Sequence, residues 1–389
     1  MAQWNRHRQD NTIRVLEALW RDTGLSRADL ARRLRLDRST VGSCVDELLA
    51  MNLVYEGERG GGGPVGGRPP VLLSLRRDYG YSIGVDLTGD RIVCIASDLG
   101  GHTILRREYE HAAAPDELIS LLTGRIGAVR GELAEMGHSR LLGVAVGAGG
   151  MVDTARGAVL LSRSLGIRAP LVLGPDVADA VGVPVWVLND ADACAIGELE
   201  YGRGRSTAEG PGRDILFVLV RYTVPDTLAD ARLNAGLGIV LDGRLREAYS
   251  GGGREFRSPF VAARSAEQFA AADAGRAGAY ADRAGLEAAF ADELGLSVSF
   301  LVHALDLRNV VLGGDVLGGT ADYDAFDERI RFHVTSSTAR VEPQPLELYR
   351  PFAGDQAVAF GASAAAIRRL FRQHIFPLDT DAPLVREKA

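Results

Sequence analysis

Apolar positions near the start of the chain recur every three or four residues. In "NTIRVLEALWRDTG", Ile13, Leu16, Leu19 and Trp20 form one stripe with Gly24 just beyond it, which predicts an amphipathic helix. The period continues through "LSRADLARRLRLDRSTVGSCVDELLAMNLV". Ser26 followed by Asp29 is a capping box that opens a second short helix, with Leu30, Ala31 and Leu34 facing inward. Asp37 is placed to cap a third helix whose inner face is Val41, Val45, Leu48 and Leu49. The link "LRLD" is short enough for a helix-turn-helix. The start of the third helix then presents Arg38, Ser39, Gly42 and Ser43 outward, with Thr40 at the margin. Short hydroxyls and an arginine at that end reach base edges and phosphates, so Arg38, Ser39, Thr40 and Ser43 are candidate DNA contacts. The alternative is a packing module whose polar face is merely solvated.

Beyond Leu53 the helical period gives way to apolar runs separated by glycines. "LVYEGERGGGGPVGGRPPVLLSL" reads as strand, Gly-rich loop and strand, a hairpin wing beside the helices. The loop holds Arg68 between "GG" and "PP", a setting suited to insertion into a minor groove. A plain linker to the next domain is the competing reading. From Tyr81, "YSIGVDLTGDRIVCIASDLGGHTILRREYE" is a meander with tight turns, and a second version begins at Asp214. Each is followed by Ala-rich helical sequence and a later apolar strand. Two similar α/β halves predict a two-lobed body with a cleft between the lobes.

Composition narrows the class. At 389 residues the chain is long enough for two or three domains, and 46% hydrophobic with 24% charged residues is ordinary for a globular protein. No run approaches 18 consecutive apolar residues, so no membrane span is expected. Cys44, Cys94 and Cys194 are far apart and no CxxC occurs, which points to a reducing cytoplasm. Residues 1–80 carry a balance of +3 and the remainder −10. A basic front on an acidic body places any polyanion contact at the front.

Candidate chemistry concentrates in "LNDADACAIGE", directly after the apolar run "VPVWV". Asn189 and Asp190 stand at a strand end, where binding and reacting groups are mounted. The order of winged helix, "IGVDLTGD", "GVAVGAGGMVD", "VPVWVLNDADACAIGE", "NAGLGIVLDGRL", "GGGREF" and "VVLGGDV" resembles the ROK family (repressors, open reading frames and sugar kinases) over essentially the whole chain. The resemblance implies an actin-like, ribonuclease-H-like sugar-kinase body behind a winged helix-turn-helix. It also implies that Asn189 and Asp190 are the sugar-contacting pair, Asp190 being the base position in the kinases. Gly150 then falls in the loop lining the sugar pocket, although Gly149 replaces the usual proline, and Glu255 matches a glutamate that hydrogen-bonds sugar hydroxyls. Asp192 stands where the family usually has Asn.

The departures bear on function. The kinases follow the first Asp with a glycine pair and a threonine that hold ATP phosphates. Here Asp86 is followed by "LTGDR", and Asp90 would repel a polyphosphate. In the second phosphate turn, Asn234 takes a position usually held by glycine. Phosphoryl transfer depends on a positioned donor, so Asp190 is expected to bind a hydroxyl rather than to catalyse. Arg257 and Ser258 stand at the Gly-His positions of zinc-bearing members, and the cysteine run that completes that site is missing, so neither a metal nor a cofactor is expected. Arg257, beside Ser258, could reach an acidic sugar derivative or instead pair with a carboxylate of the body.

The expectation is therefore an α/β protein with a winged helix-turn-helix over residues 1–77, a first lobe over 78–200, and a second lobe with dimerisation helices over 201–389. Its expected role is a cytoplasmic, non-enzymatic repressor, a homodimer or higher homo-oligomer, that binds operator DNA and a sugar or sugar-derived effector. The effector site would comprise Gly150, Asn189, Asp190, Glu255, Arg257 and Ser258. The rival readings are an ATP-dependent sugar kinase with a DNA-binding appendage and a constitutive repressor with a dead pocket.

Overall fold

The stripe of Ile13, Leu16, Leu19 and Trp20 is the buried face of helix α1 (Ala2–Arg21). A computed structural model of the chain describes residues 2–59, 69–202, 214–223, 228–247, 256–265, 267–276, 278–318, 320–336 and 346–378. Strand β1 (Leu25–Ser26), helices α2 (Arg27–Leu34) and α3 (Arg38–Ala50), and strands β2 (Val54–Arg59) and β3 (Val71–Leu75) complete the front module. Its sheet runs in the order β1-β3-β2, with β2 and β3 forming the wing. Ser26 caps α2 as the sequence predicts: its Oγ accepts from Asp29 N at 3.2 Å, and the Asp29 carboxylate accepts from Ser26 N at 3.1 Å. Asp37 holds the cap position of α3 but makes no side-chain capping bond. Leu30, Val41, Val45 and Leu48 are fully buried, whereas Leu34 and Leu49 sit half-buried at the edge of the core.

The body repeats one topology twice. Strands β4 (Tyr81–Leu87), β5 (Arg91–Asp98) and β6 (Thr103–Glu110) form an antiparallel meander, and after α4 (Leu118–Glu135) strand β7 (Leu141–Ala148) lies parallel to β4. A small sheet of β8 (Met151–Asp153), β9 (Ala158–Leu161) and β10 (Leu171–Val172) precedes α5 (Gly174–Val181). Strand β11 (Val185–Asn189) then joins β7 in parallel, and helix α6 (Asp190–Glu200) leaves it directly. In the second half, β12 (Ile215–Thr223), β13 (Arg232–Leu241) and β14 (Arg244–Leu245) form the meander. Helices α7 (Ala270–Arg276) and α8 (Arg283–Ala304) lead to β15 (Asn309–Gly314), parallel to β12. Helix α9 (Thr320–Ser336), strand β16 (Glu347–Tyr349) and helix α10 (Ala357–Arg372) follow. Numbered within its own sheet, each half reads 3-2-1-4-5. Every residue of β4 and β7 is buried, the consequence of parallel strands covered on both faces.

Helices α6 and α10 knit the halves together. Helix α10 returns from the second half to lie on β4 and against α6. The approach is close enough to require glycine: a Cβ at Gly84 would lie 1.9 Å from the carbonyl oxygen of Ala359, and one at Gly361 would lie 2.0 Å from that of Ala193. The front module docks on the far end of the same helix pair. Trp20 Nε1 donates to the Leu99 carbonyl at 2.9 Å, and its ring packs against Phe371 and edge-on against Tyr201. Glu200 pairs with Arg368 of α10 and, at 3.5 Å, with Arg21 of α1. Front-module core residues thereby run without a break into those of α6 and α10.

Candidate functional site

Four charged side chains meet where strands of the two sheets end. Asp86 lies near the end of β4, Asp190 directly follows β11, Arg221 lies near the end of β12, and Asp315 directly follows β15. In open α/β sheets the carboxyl ends of the strands form the crevice in which ligands bind. Arg221 serves all three carboxylates, one from each nitrogen. Its Nη2 donates to both Asp86 oxygens at 3.2 and 3.1 Å, its Nε faces Asp190 at 3.9 Å, and its Nη1 faces Asp315 at 3.8 Å. Asp315 also accepts from Tyr222 N at 2.9 Å, which fixes that carboxylate against the strand carrying the arginine. Burial works against the Arg221 charge, yet the three carboxylates together hold its pKa above the ordinary value. Burial raises the Asp190 pKa, with Arg221 opposing and Asp86 reinforcing that shift.

Sequence reasoning named Asp86 only for its motif, passed over Asp315 within "VVLGGDV", and missed Arg221. The one available signal was local: "ILFVLV" is wholly apolar, and a strand of that kind ending in an arginine carries its charge to the sheet end. The structure also moves Asn234. The residue lies within β13 opposite Arg221, in strand register, and not in a phosphate-holding turn, because the β12–β13 pairing extends beyond it to Thr223 and Arg232. Asp90 is exposed and accepts from the Thr88 hydroxyl at 2.9 Å, closing the β4–β5 turn on itself.

Of the expected effector residues, three come together. Asn189 Oδ1 accepts from Ala191 N at 3.0 Å and Asp192 N at 3.3 Å, capping α6, while its Nδ2 donates to the Gly150 carbonyl at 3.2 Å. Gly150 is held in the left-handed region at φ 105°, where a Cβ would lie 2.3 Å from the Leu161 carbonyl oxygen. Asp190 is 8% exposed, accepts from Ala191 N at 2.9 Å, and benefits from the positive end of α6. A Cβ built on Gly149 would lie 3.3 Å from an Asp190 oxygen, so the missing proline leaves room beside that carboxylate. Arg257 is exposed and spends Nη2 on the carbonyls of Ala262 and Ser265 at 2.6 and 2.9 Å. Ser258 is buried and accepts from Phe260 N at 3.2 Å. Both therefore bond within their own loop, which reaches the second sheet through Gln268, whose side chain accepts from Ala235 N at 2.9 Å. Glu255 lies outside the described residues. Among the described residues, no group of three or more His, Cys, Asp or Glu side chains is placed to hold a metal ion, and no helix is long and apolar enough to cross a membrane.

At the front, Arg38, Ser39 and Ser43 are exposed on α3 and Thr40 is half-buried. Arg27 braces that helix against the wing, with Nη2 at 3.1 Å from Asp46 and Nη1 at 2.8 Å from Glu56. Arg14 donates to the last-turn carbonyl of Leu34 at 3.0 Å, tying α1 to α2. Arg68 lies outside the described residues.

A winged helix-turn-helix module thus precedes an α/β body in which one sheet topology occurs twice. Residues 8–55 match the winged helix-turn-helix DNA-binding family, and residues 82–210 match the ROK family. The chain is 28% identical over 246 residues to the xylose repressor of Caldicellulosiruptor bescii, across 63% of this chain and 57% of the repressor's own length. Its fold is similar to that of a ROK family transcriptional regulator, a homologue of the E. coli MLC protein, with a TM-score of 0.69 and 19% identity over 95% of this chain and 96% of the other. A ROK family glucokinase from Streptomyces griseus, solved with glucose and AMPPNP, matches with a TM-score of 0.57 and 21% identity over 74% of this chain and all of its own. A winged helix-turn-helix segment at residues 8–55 is thus followed by a ROK family segment at residues 82–210, within a fold similar to that of a ROK family transcriptional regulator.

Proposed function

We propose that the protein is a transcriptional repressor whose cleft binds a sugar and whose front module binds operator DNA through Arg38, Ser39, Thr40, Ser43 and Arg68. The observation that carries this reading is the placement of α6. The helix begins in the cleft at Asp190 and ends at Glu200, with Tyr201 next, among the residues that grip Trp20 and Arg21 of the front module. Eleven residues span about 16 Å at 1.5 Å per residue. Ten of them are buried, so the helix moves as one body rather than bending. A sugar that binds one placement of α6 more tightly than another thus biases the front module, and coupling of about 1–3 kcal/mol is typical of such switches.

The sugar would be held by Asn189, Asp190 and Gly150, with Glu255, Arg257 and Ser258 on the facing loop. Xylose, the sugar in the name of the similar repressor, is the first candidate. Phosphoryl transfer is not part of this reading, because Arg221 fills the space between the strand-end carboxylates. Paired front modules would read two half-sites, which supports a homodimer. Leu296 and Phe300, one turn apart on α8 and 39% and 72% exposed, and Phe332 on the adjoining α9, 56% exposed, offer an apolar face for self-association.

The test is selection of bound duplexes from fragmented genomic DNA, followed by fluorescence-anisotropy titration with and without D-xylose. The expected result is a two-fold symmetric site whose affinity changes at least tenfold with the sugar in wild type and not in Asn189→Ala. Binding with no sequence preference would overturn the reading.

A further inference from the structure

The three strand-end carboxylates pose a problem that any occupant of the cleft must solve. Asp86, Asp190 and Asp315 come from two sheets and face one point, and in water-poor surroundings such charges repel one another strongly. A nucleotide with its metal would be one solution from outside the chain. Here the solution is internal: the guanidinium plane stands among the carboxylates, each nitrogen opposite a different one, and the arginine is only 23% exposed. Lysine, a point charge, could serve one carboxylate at a time; the arginine fork serves three.

We propose that Arg221 is the specificity-determining residue of the cleft, a tethered cation that takes the place of a metal-bound phosphate and leaves Asp190 to receive an uncharged polyol. Three consequences follow from the geometry. A divalent ion finds its space taken by the guanidinium. A polyphosphate meets carboxylates whose only described close partner cation is already shared three ways. A sugar hydroxyl, which carries no charge, can donate to Asp190 without disturbing that balance. The groups facing Asp190 are Arg221 from β12, Asp86 from β4, and Cys194 from its own helix, and Arg91 adds to the field at Asp315. The same bonds join β4 of one sheet to β12 of the other, so the sugar site and the closure of the cleft share one residue.

This inference rests on the sugar-binding reading, and its test separates the two. Calorimetry and thermal melting would be run on the full-length protein with three probes: magnesium ions alone, magnesium–ADP, and D-xylose. Wild type is expected to show no change in melting temperature with about 5 mM magnesium and no magnesium–ADP binding, and Arg221→Lys, whose ammonium serves one carboxylate at a time, is expected to fall between wild type and Arg221→Ala. Arg221→Ala and Arg221→Gln are expected to melt at lower temperature without magnesium and to recover several degrees with it, and to bind D-xylose at least tenfold more weakly. Recovery by magnesium with no xylose binding in any protein would uphold the role of Arg221 and refute xylose as the effector. Magnesium–ADP binding to wild type below about 1 mM would overturn the proposal even if no variant folds, and so would folded Arg221→Ala and Arg221→Gln proteins that neither respond to magnesium nor lose xylose affinity.

Discussion

The two sheets of the body share one strand order, yet their strand ends carry opposite chemistry. The first sheet ends in acceptors, Asp86 on β4 and the Asn189–Asp190 pair after β11, while the second brings the cation Arg221 on β12 beside Asp315 after β15. The scaffold is therefore duplicated and the site is not. A 3-2-1-4-5 sheet positions whatever stands at its carboxyl ends, and the residues placed there decide the chemistry. The same contrast separates the two ends of α6, where a strand-end carboxylate at Asp190, the proposed sugar contact, is matched by a structural carboxylate at Glu200, buried against Arg368.

Substitutions at three residues sharpen that contrast, beginning with the largest effect. Trp20→Ala should cost about 3–5 kcal/mol, as expected when a buried aromatic ring is truncated, because Trp20 is 2% exposed and bonded to Leu99. Chemical denaturation would register the loss. The same variant should keep its sugar affinity while its DNA binding no longer responds to sugar. If the response survives, the cleft signals through some route other than the α6–Trp20 contact.

Asp190→Ala should weaken sugar binding by roughly 10- to 150-fold, the range for losing a hydrogen bond to a charged acceptor, with operator affinity in the absence of sugar unchanged. The isosteric Asp190→Asn variant reads the same residue through stability. Burial raises the Asp190 pKa in the fold, so its contribution is fully present below the ordinary carboxylate range and is lost as pH rises through the raised value. Removing the titration should therefore give a melting-temperature advantage that grows from about pH 4 toward neutrality. Asp315, also raised by burial, remains in both proteins and cancels in the difference. An advantage that shrinks with pH would mean that Arg221 outweighs burial.

The smallest effect belongs to the exposed front. Arg38→Ala should weaken binding to operator and unrelated duplex by similar factors and lower the salt slope by about one, the signature of a lost phosphate contact. A loss confined to the operator would instead make Arg38 a reader of bases.

The helices of the front module were legible because their signals are local. A stripe such as Ile13, Leu16, Leu19 and Trp20, or the Ser26–Asp29 box, depends on residues within a turn or two of one another. Asn189 and Asp190 were legible for the same reason, as a polar break after an apolar run, and Gly150, which the family resemblance implied, joins them through one side-chain bond. Asn234 was misplaced because a glycine-rich stretch looks like a turn until its partner strand is known, and only the pairing with β12 shows that it is strand.

The chain by itself determined the helices of its front module, that a winged module would precede a duplicated body, and which carboxylate would stand at the end of β11. Tertiary structure alone decided that Arg221 would meet Asp86 across 135 residues of sequence, and that Trp20 would reach Tyr201 across 181. Periodicity is written into neighbouring residues, whereas the neutralisation of a buried charge depends on which distant strands the sheets bring to one edge.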